Sequence, residues 1–327
     1  MQPSTRKCVQ VFMRQRLARL NVVGRPRRVA IAVPIKNEAE GISGCLAALD
    51  RAAASYAGSV SVVAFANDCI DRSIERIAAF QPAHFDLDLC TTSLVPGARH
   101  AGWARRLAFD AATTHLVEDT DLLLSTDADS HVDPAWLART VAHVDAGYDA
   151  VAGMALTPAR DRATLGDVMR RRMNLLGRYG IAIAHLRRRA EPGSRDPWPR
   201  HDYEGGASIA LTLAAYRRIG GAPTPPLAED RALFAAVRAT GGRVRHAVDV
   251  RVFTSCRFDG RAPGGMADTL ARWAAQDEDA PVHETYTVAA MLGHAPRGPG
   301  QQLSFGTLPH ALATAQRAIR ESVGQSL

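Results

Sequence analysis

Two aspartates one residue apart, Asp127 and Asp129, stand in Ser125-Thr126-Asp127-Ala128-Asp129, at the end of an apolar run. Side chains at i and i+2 share a side only while a chain is extended. A turn at that point lets both carboxylates approach one hard cation, with water and ligand phosphates filling its other positions. The rival use for such acids is to cap a helix. Asp133, directly before Pro134, is already placed as that cap, with proline at the first helical position. The spacing therefore points to a divalent metal on Asp127 and Asp129 and to a diphosphate beside Asp127 and Ala128. A second pair, Glu229-Asp230, opens a helical pattern about a hundred residues later. Acids there can simply satisfy the helix dipole, or one can act as a general base toward a hydroxyl nucleophile. Prolines at 223, 225 and 226 would fix the loop that presents the pair, and Gly205-Gly206 would let backbone approach a ligand, or turn into a strand. His246, in RVRHAVDV, is the best later candidate for a third metal ligand, although a lone histidine at a strand end is more often packed or hydrogen-bonded.

These residues need elements to hold them. Residues 29–156 alternate short apolar runs with amphipathic ones: strands at 29–35, 59–66, 86–91, 121–126 and 150–156, and helices at 38–54, 71–80, 97–115 and 134–145. Such alternation predicts right-handed crossovers and an α/β fold with a mostly parallel central sheet flanked by helices. Ligands of such sheets bind beyond the carboxyl ends of the strands. Segments 34–38, 67–71 and 127–133 all carry polar residues at such ends. Beyond residue 157 the pattern changes. Residues 160–200 hold eleven arginines against four acids, in a helical pattern interrupted near Gly177 and Gly180 and broken at 192–199. A strand is expected at 205–213, a helix at 227–240, and one or two strands at 244–254. Past residue 280 the composition is that of a loop until a final helix at 310–323. The organisation reads as a basic N-terminal extension (1–27), one elaborated domain (28–280, with halves 28–157 and 158–280 that the family resemblance given below implies are nucleotide-binding and acceptor-side), and a C-terminal extension (281–327).

Composition narrows the chemistry. The chain has 327 residues and a formal net charge of +7, and Lys7 and Lys36 are its only lysines. No GxxxxGK loop is present, and an enzyme needing a lysine in its later half is excluded. Arginine forks suit phosphate groups. The five cysteines are odd in number and lack a CxxC pair, which fits a reducing cytoplasm better than a disulfide framework or zinc ribbon. No apolar run reaches the roughly 18 residues of a membrane span, and the N-terminus lacks the pattern of a secretory signal. Its basic residues suit peripheral contact with an anionic membrane, with a solvated helix the plainer expectation. A nucleic-acid partner is not expected: the arginine-rich stretch and the residues just after it interleave only Tyr179, Trp198 and Tyr203. A sugar-phosphate nucleotidyltransferase would open with a glycine-rich loop, whereas VPIKNEAEG has no glycine before Gly41.

The order of five segments resembles the family-2 glycosyltransferases of the GT-A fold over about residues 29–260: VPIKNEAEG, ANDCIDRS, STDADSHVDP, GGAS and AEDRAL. The resemblance implies metal-dependent transfer of a sugar from a nucleotide-diphosphate donor to an acceptor hydroxyl, with Mn or Mg as cofactor. It places Pro34, Asn37 and Glu38 in the nucleotide pocket, Asn67 and Asp68 at the base or ribose, and Arg105 and Arg106 near the diphosphate. The family's acidic pair after the second strand is here Ala66-Asn67, with Asp68 one place later. Asp230, with Glu229, stands where the family's base would give inversion by single displacement. Arg257 and Arg261 could close over the diphosphate. The arginine-rich insertion lies where such enzymes shape the acceptor site, which would suit a phosphorylated or lipid-linked acceptor; a solvated helical surface is the alternative.

Overall fold

The structure, a computed structural model, describes residues 27–191, 193–261 and 264–324. The basic extension, apart from Arg27, and with it the expected membrane contact, lies outside the described residues. Strands β1 (Val29–Ile35), β2 (Val60–Asn67), β3 (Asp86–Thr92) and β4 (Leu122–Ser125) alternate with helices α1 (Ile42–Ala53), α2 (Ser73–Ala78) and α3 (Ala101–Thr113). Then follow β5 (Ser130–Val132), α4 (Trp136–Asp145), β6 (Ala150–Leu156), α5 (Ala159–Thr164) and α6 (Asp167–Ala190). The next group is β7 (Ile209–Thr212), α7 (Leu213–Arg218), α8 (Glu229–Ala239), β8 (Val244–Thr254) and α9 (Met266–Ala275). The chain closes with β9 (Pro281–Tyr286), α10 (Val288–Met291), β10 (Gln302–Ser304) and α11 (Leu308–Gly324).

Eight strands form one sheet in the order β3-β2-β1-β4-β7-β6-β8-β5. The first four are mutually parallel, while β7 runs antiparallel to both β4 and β6. The period of two along β1 sends Ile31 and Val33 to the face covered by α1, and Ala30 and Ala32 to the face covered by α3. Burial on both faces explains why β1, β2 and β4 read as continuous apolar runs rather than alternating ones. Where a turn alone was expected after Asp129, β5 pairs with Thr254, Phe253 and Val252 of β8. This pairing braces the far side of the aspartate turn.

Three expectations from sequence are corrected. Helix α1 starts at Ile42, not at 38, because Asn37 adopts φ +55° and the next two amides are taken elsewhere. The Glu38 amide donates to Ser73 Oγ at 2.8 Å and the Ala39 amide to Asp71 Oδ2 at 2.9 Å. Helix α6 runs unbroken through Gly177 and Gly180. A helical glycine costs about 1 kcal/mol, and packing outweighs it: Tyr179, Ile183 and Leu186 bury against Leu308, Leu312 and Ala315 of α11. The tail beyond 280, read as loop, forms the β9–β10 ladder and docks on α6. Among the described residues no helix is long and apolar enough to cross a membrane.

Trp136, fully buried at the start of α4, donates its indole N–H to Ser208 Oγ at 2.8 Å, joining α4 to the loop before β7. Trp136→Phe leaves that buried hydroxyl without its donor and opens a void. A loss of roughly 1–3 kcal/mol in urea unfolding is expected.

Candidate active site

A cleft of about 640 Å³ opens beyond the carboxyl ends of β1, β2 and β4. Pro34 and Glu38 enter it from β1, Asn67 from β2, and Asp127, Ala128 and Asp129 from β4. The start of α8 closes the opposite side with Glu229 and Asp230, and Arg257 and Arg261 reach in from the loop after β8.

Arg105 lies at the base of the cleft, only 5% exposed. Its Nη2 donates to Asp127 Oδ1 at 2.9 Å and its Nε to Glu229 Oε1 at 3.3 Å. Nη1 serves Ser125 Oγ at 2.9 Å and the Gly206 carbonyl at 3.2 Å. Burial alone would favour loss of its proton; the carboxylates of Asp127 and Glu229 more than offset this and hold the guanidinium charged. One arginine thus ties the aspartate turn to the acid pair. Each of its three nitrogens donates to protein, so in this structure it positions carboxylates, while sequence alone suggested a place near a diphosphate.

Within the acid pair the two members differ. Glu229 is buried and committed to Arg105. Asp230 accepts only the amide N–H of Arg231, at 2.7 Å, which leaves carboxylate lone pairs for the cleft. Burial, and then the charge of Glu229, raise its carboxyl above the usual range.

Asp129 is pushed up to about 6, first by burial, then by the charge of Asp127, with Glu38 adding and Arg257 opposing. Arg257 grips both oxygens of Glu38 and lies 3.5 Å from Asp129 Oδ2. Carboxylates that are costly to ionise together are relieved by a cation. No group of three or more His, Cys, Asp or Glu able to hold a metal occurs among the described residues. The turn therefore suits a cation that needs one or two protein carboxylates and keeps phosphate oxygens and water, as Mg and Mn do. On that observation the residues present fit such an ion.

Other sequence candidates fall outside the cleft. His246 is not among its lining residues. Its Nδ1 is 2.8 Å from Asp196 Oδ2 and its Nε2 3.0 Å from Glu204 Oε1. With both ring nitrogens engaged it anchors a loop and does not join the aspartate turn, which corrects its expected role as third ligand. Arg106 points away, its guanidinium on Asp110 Oδ2 at 2.7 Å and the Ala222 carbonyl at 3.1 Å. Asp68 accepts the Leu94 amide at 3.3 Å and supports the segment after β3. Asn37 acts through its backbone and amide: Oδ1 accepts from Ile70 N at 2.8 Å, and its carbonyl from Arg261 Nε at 2.9 Å. The arginines of 160–200 do not line the cleft. Arg172 lies over the Phe305 ring and pairs with Glu278, while Arg187 donates to the Met291 carbonyl and Asp202. They fasten α6 to the C-terminal segment and the loop after it.

Among the cleft residues not assigned to the site from sequence are Lys36 and Tyr203. For Tyr203 the available signal was its place between two acids, two residues before Gly205-Gly206.

No protein-family model matches the chain, and no curated protein matches it. Among solved structures it is similar to mannosyltransferase PcManGT from Pyrobaculum calidifontis in complex with GDP-Man and Mn2+, at TM-score 0.50 and 20% identity, over 97% of this chain and 82% of that one. Weaker likenesses are S. aureus TarS 1-349 (TM-score 0.46, 14% identity, 76% of this chain and 70% of that), and M. tuberculosis glucosyl-3-phosphoglycerate synthase in complex with Mn2+, UDP-Glc and phosphoglyceric acid (TM-score 0.45, 15% identity, 78% and 83%). This chain spans 42% of the longer TarS chain. The sheet order and the helices on both faces are those of the GT-A glycosyltransferase fold.

Two outcomes are expected. Arg105→Met strands Glu229 and Asp127 beside each other and is expected to lower stability by about 3–5 kcal/mol, as for other broken buried ion pairs; urea unfolding at neutral pH measures it. For His246, burial would lower the imidazole, but hydrogen bonds to Asp196 and Glu204 raise it above its ordinary value. A raised base stabilises fully below its unfolded pKa and loses that contribution as pH climbs through the folded value. The unfolding-midpoint advantage of wild type over His246→Gln is therefore expected to be full below the ordinary imidazole range and to shrink as pH rises through and above it. An advantage that is flat or grows over that range refutes the clamp.

Proposed function

We propose that this chain is a family-2-type glycosyltransferase that moves a sugar from a nucleotide-diphosphate donor to an acceptor hydroxyl with inversion. The reading is carried by one observation: the Asp127–Asp129 turn and the free carboxylate of Asp230 line one cleft at the carboxyl edge of the parallel strands, joined underneath by Arg105. The order of the five sequence segments supports it, as does the complex of the fold-matched mannosyltransferase with GDP-Man and Mn2+.

In this reading Asn67 and Pro34 line the nucleoside end, and Arg257 and Arg261 flank the diphosphate. A divalent cation on Asp127 and Asp129, Mn or Mg, supplies positive charge to the departing diphosphate. Asp230 accepts the acceptor's hydroxyl proton at its free oxygen. The acceptor oxygen forms a bond to the anomeric carbon as the carbon–oxygen bond to phosphate breaks, and the electron pair leaves on the diphosphate. Attack and departure on opposite faces of that carbon give inversion, as in the analogous geometry of inverting glycosidases. Glu229 is bound to Arg105, and its charge raises the basicity of Asp230. The four described cysteines are free, which supports a reducing, cytoplasmic setting.

The test is donor turnover across UDP-, GDP- and dTDP-sugars with Mn2+. Asp129→Ala is expected to abolish metal-dependent donor use. Asp230→Ala is expected to keep nucleotide binding and to lose about 10²–10⁴-fold in transfer, the usual worth of a general base. Transfer that survives Asp230→Ala removes that residue as the base, and a product retaining the donor's anomeric configuration ends the single-displacement mechanism.

A further inference from the structure

Tyr203 lines the cleft with a backbone held on both sides and a side chain that takes no hydrogen bond from the described residues. On one side of it Asp202 is held by Arg187 Nη1 at 2.6 Å and Arg200 Nη2 at 2.5 Å. On the other, Glu204 is held by His246 and by Arg238. Its own amide donates to Nδ1 of buried His201 at 3.1 Å. All three residues line the cleft, but both neighbours are fastened to the body of the protein, and Tyr203 is the one of the three whose side chain takes no partner among the described residues. Its phenol lies back over Gly205, where a β-carbon would come within 2.1 Å of the hydroxyl. Gly205 therefore makes room for this ring, a different use from the ligand approach expected from sequence.

The ring lines the cleft and is 44% exposed, a large apolar surface left open in a polar site. Its hydroxyl makes no hydrogen bond to any described residue. Burial, and then the charges of Asp230 and Asp127, raise that hydroxyl above its ordinary range, so it lies in the field of the proposed base. The cations whose charge reaches its hydroxyl are Arg105, held by Asp127 and Glu229, and Arg231, paired with Glu284 at 2.7 Å. An anionic group brought against Tyr203 would meet the carboxylates of Asp230 and Asp127, while both of these cations are already paired with carboxylates. A pyranose fits instead. One face of its ring is a sheet of C–H groups that packs on an aromatic face, and its rim of hydroxyls donates to carboxylates.

We infer that Tyr203 is the acceptor platform, and that the acceptor group placed before Asp230 is itself a neutral sugar ring, so that the product carries a sugar–sugar glycosidic bond. This rests on the transferase reading above. The acceptor's ring hydroxyl gives its proton to Asp230 and its oxygen to the donor's anomeric carbon.

The test uses the whole chain with Mn2+ and either UDP or GDP, and four probes: the methyl pyranosides of glucose, mannose, galactose and N-acetylglucosamine. Saturation-transfer NMR is expected to show at least one bound to the wild type, with transfer strongest on the C–H protons of one ring face. Tyr203→Phe is expected to retain that binding, while Tyr203→Ala and Tyr203→Leu weaken it about tenfold, the scale of one aromatic contact. Circular dichroism melts and undiminished nucleoside diphosphate binding check that the variants are folded; Tyr203→Leu keeps bulk while removing the ring. If a nucleoside diphosphate binds and none of the four pyranosides does, or if pyranoside binding is unmoved in Tyr203→Leu, the inference is overturned and the transferase reading stands. A wild type that binds neither UDP nor GDP overturns the transferase reading, and this inference with it.

Discussion

A buried guanidinium surrounded by carboxylates is the constraint on which the rest of this site depends. Two acids from one turn and two from a distant helix cannot share a cleft without a counter-charge, because low local polarity magnifies their repulsion. Arg105 supplies that charge from helix α3, between the two acidic elements, and spends its hydrogen bonds on Asp127, Glu229, Ser125 and the Gly206 carbonyl. The arrangement decides which acids remain available. Glu229 and Asp127 each give one oxygen to the guanidinium, while Asp230 accepts only a backbone amide among the described residues. Asp129 is left with the weaker attention of Arg257 at 3.5 Å, so it is the carboxylate with most to gain from a cation.

A second set of ion pairs does for the loop at 196–204 what Arg105 does for the acids. His246 bridges Asp196 and Glu204, Arg245 and Arg200 add to Asp196, and Arg187 and Arg200 hold Asp202. A loop without regular secondary structure has little local reason to keep one conformation, and its ordering entropy must be offset by such contacts. Here the contacts lie behind the loop. Of the three loop residues that line the cleft, Asp202 and Glu204 are held by these pairs and Tyr203 is not. The arginine-rich insertion is understood in the same way, since Arg172 and Arg187 hold the C-terminal segment and this loop instead of presenting charge to a substrate.

How much was legible beforehand depends on the range of the interaction. Strand β1 and strand β6 were read to the residue, because a central strand buried on both faces must be continuously apolar. The turn of Asp127 and Asp129 was read as a site because Asp133 was assigned the helix cap; in the structure α4 begins later, at Trp136 with Ala135 as its N-cap, and the Asp133 carboxylate accepts the Ala135 amide at 2.9 Å in the turn before it. The start of α1 was misplaced because Glu38 and Glu40 look like first-turn acids. What moves the helix start to Ile42 is the tie between the Glu38 and Ala39 amides and Ser73 and Asp71, more than thirty residues away. The glycines of α6 looked like a break because the surface that outweighs them lies on α11.

Taken alone, the amino-acid order determined the layered α/β plan, the strand ends that gather at one edge, and the paired acids that stand there. Those follow from periodicity and turn chemistry, which act over a few residues. Tertiary structure decided which partner each charged side chain takes. Arg105 meets Glu229 across 124 positions and Arg257 meets Glu38 across 219. It also sent His246 to a loop and not to the aspartate turn, and made Gly205 a seat for Tyr203. No local pattern records such choices, because a charge or a cavity is satisfied by whatever the packed chain brings within a few ångströms of it.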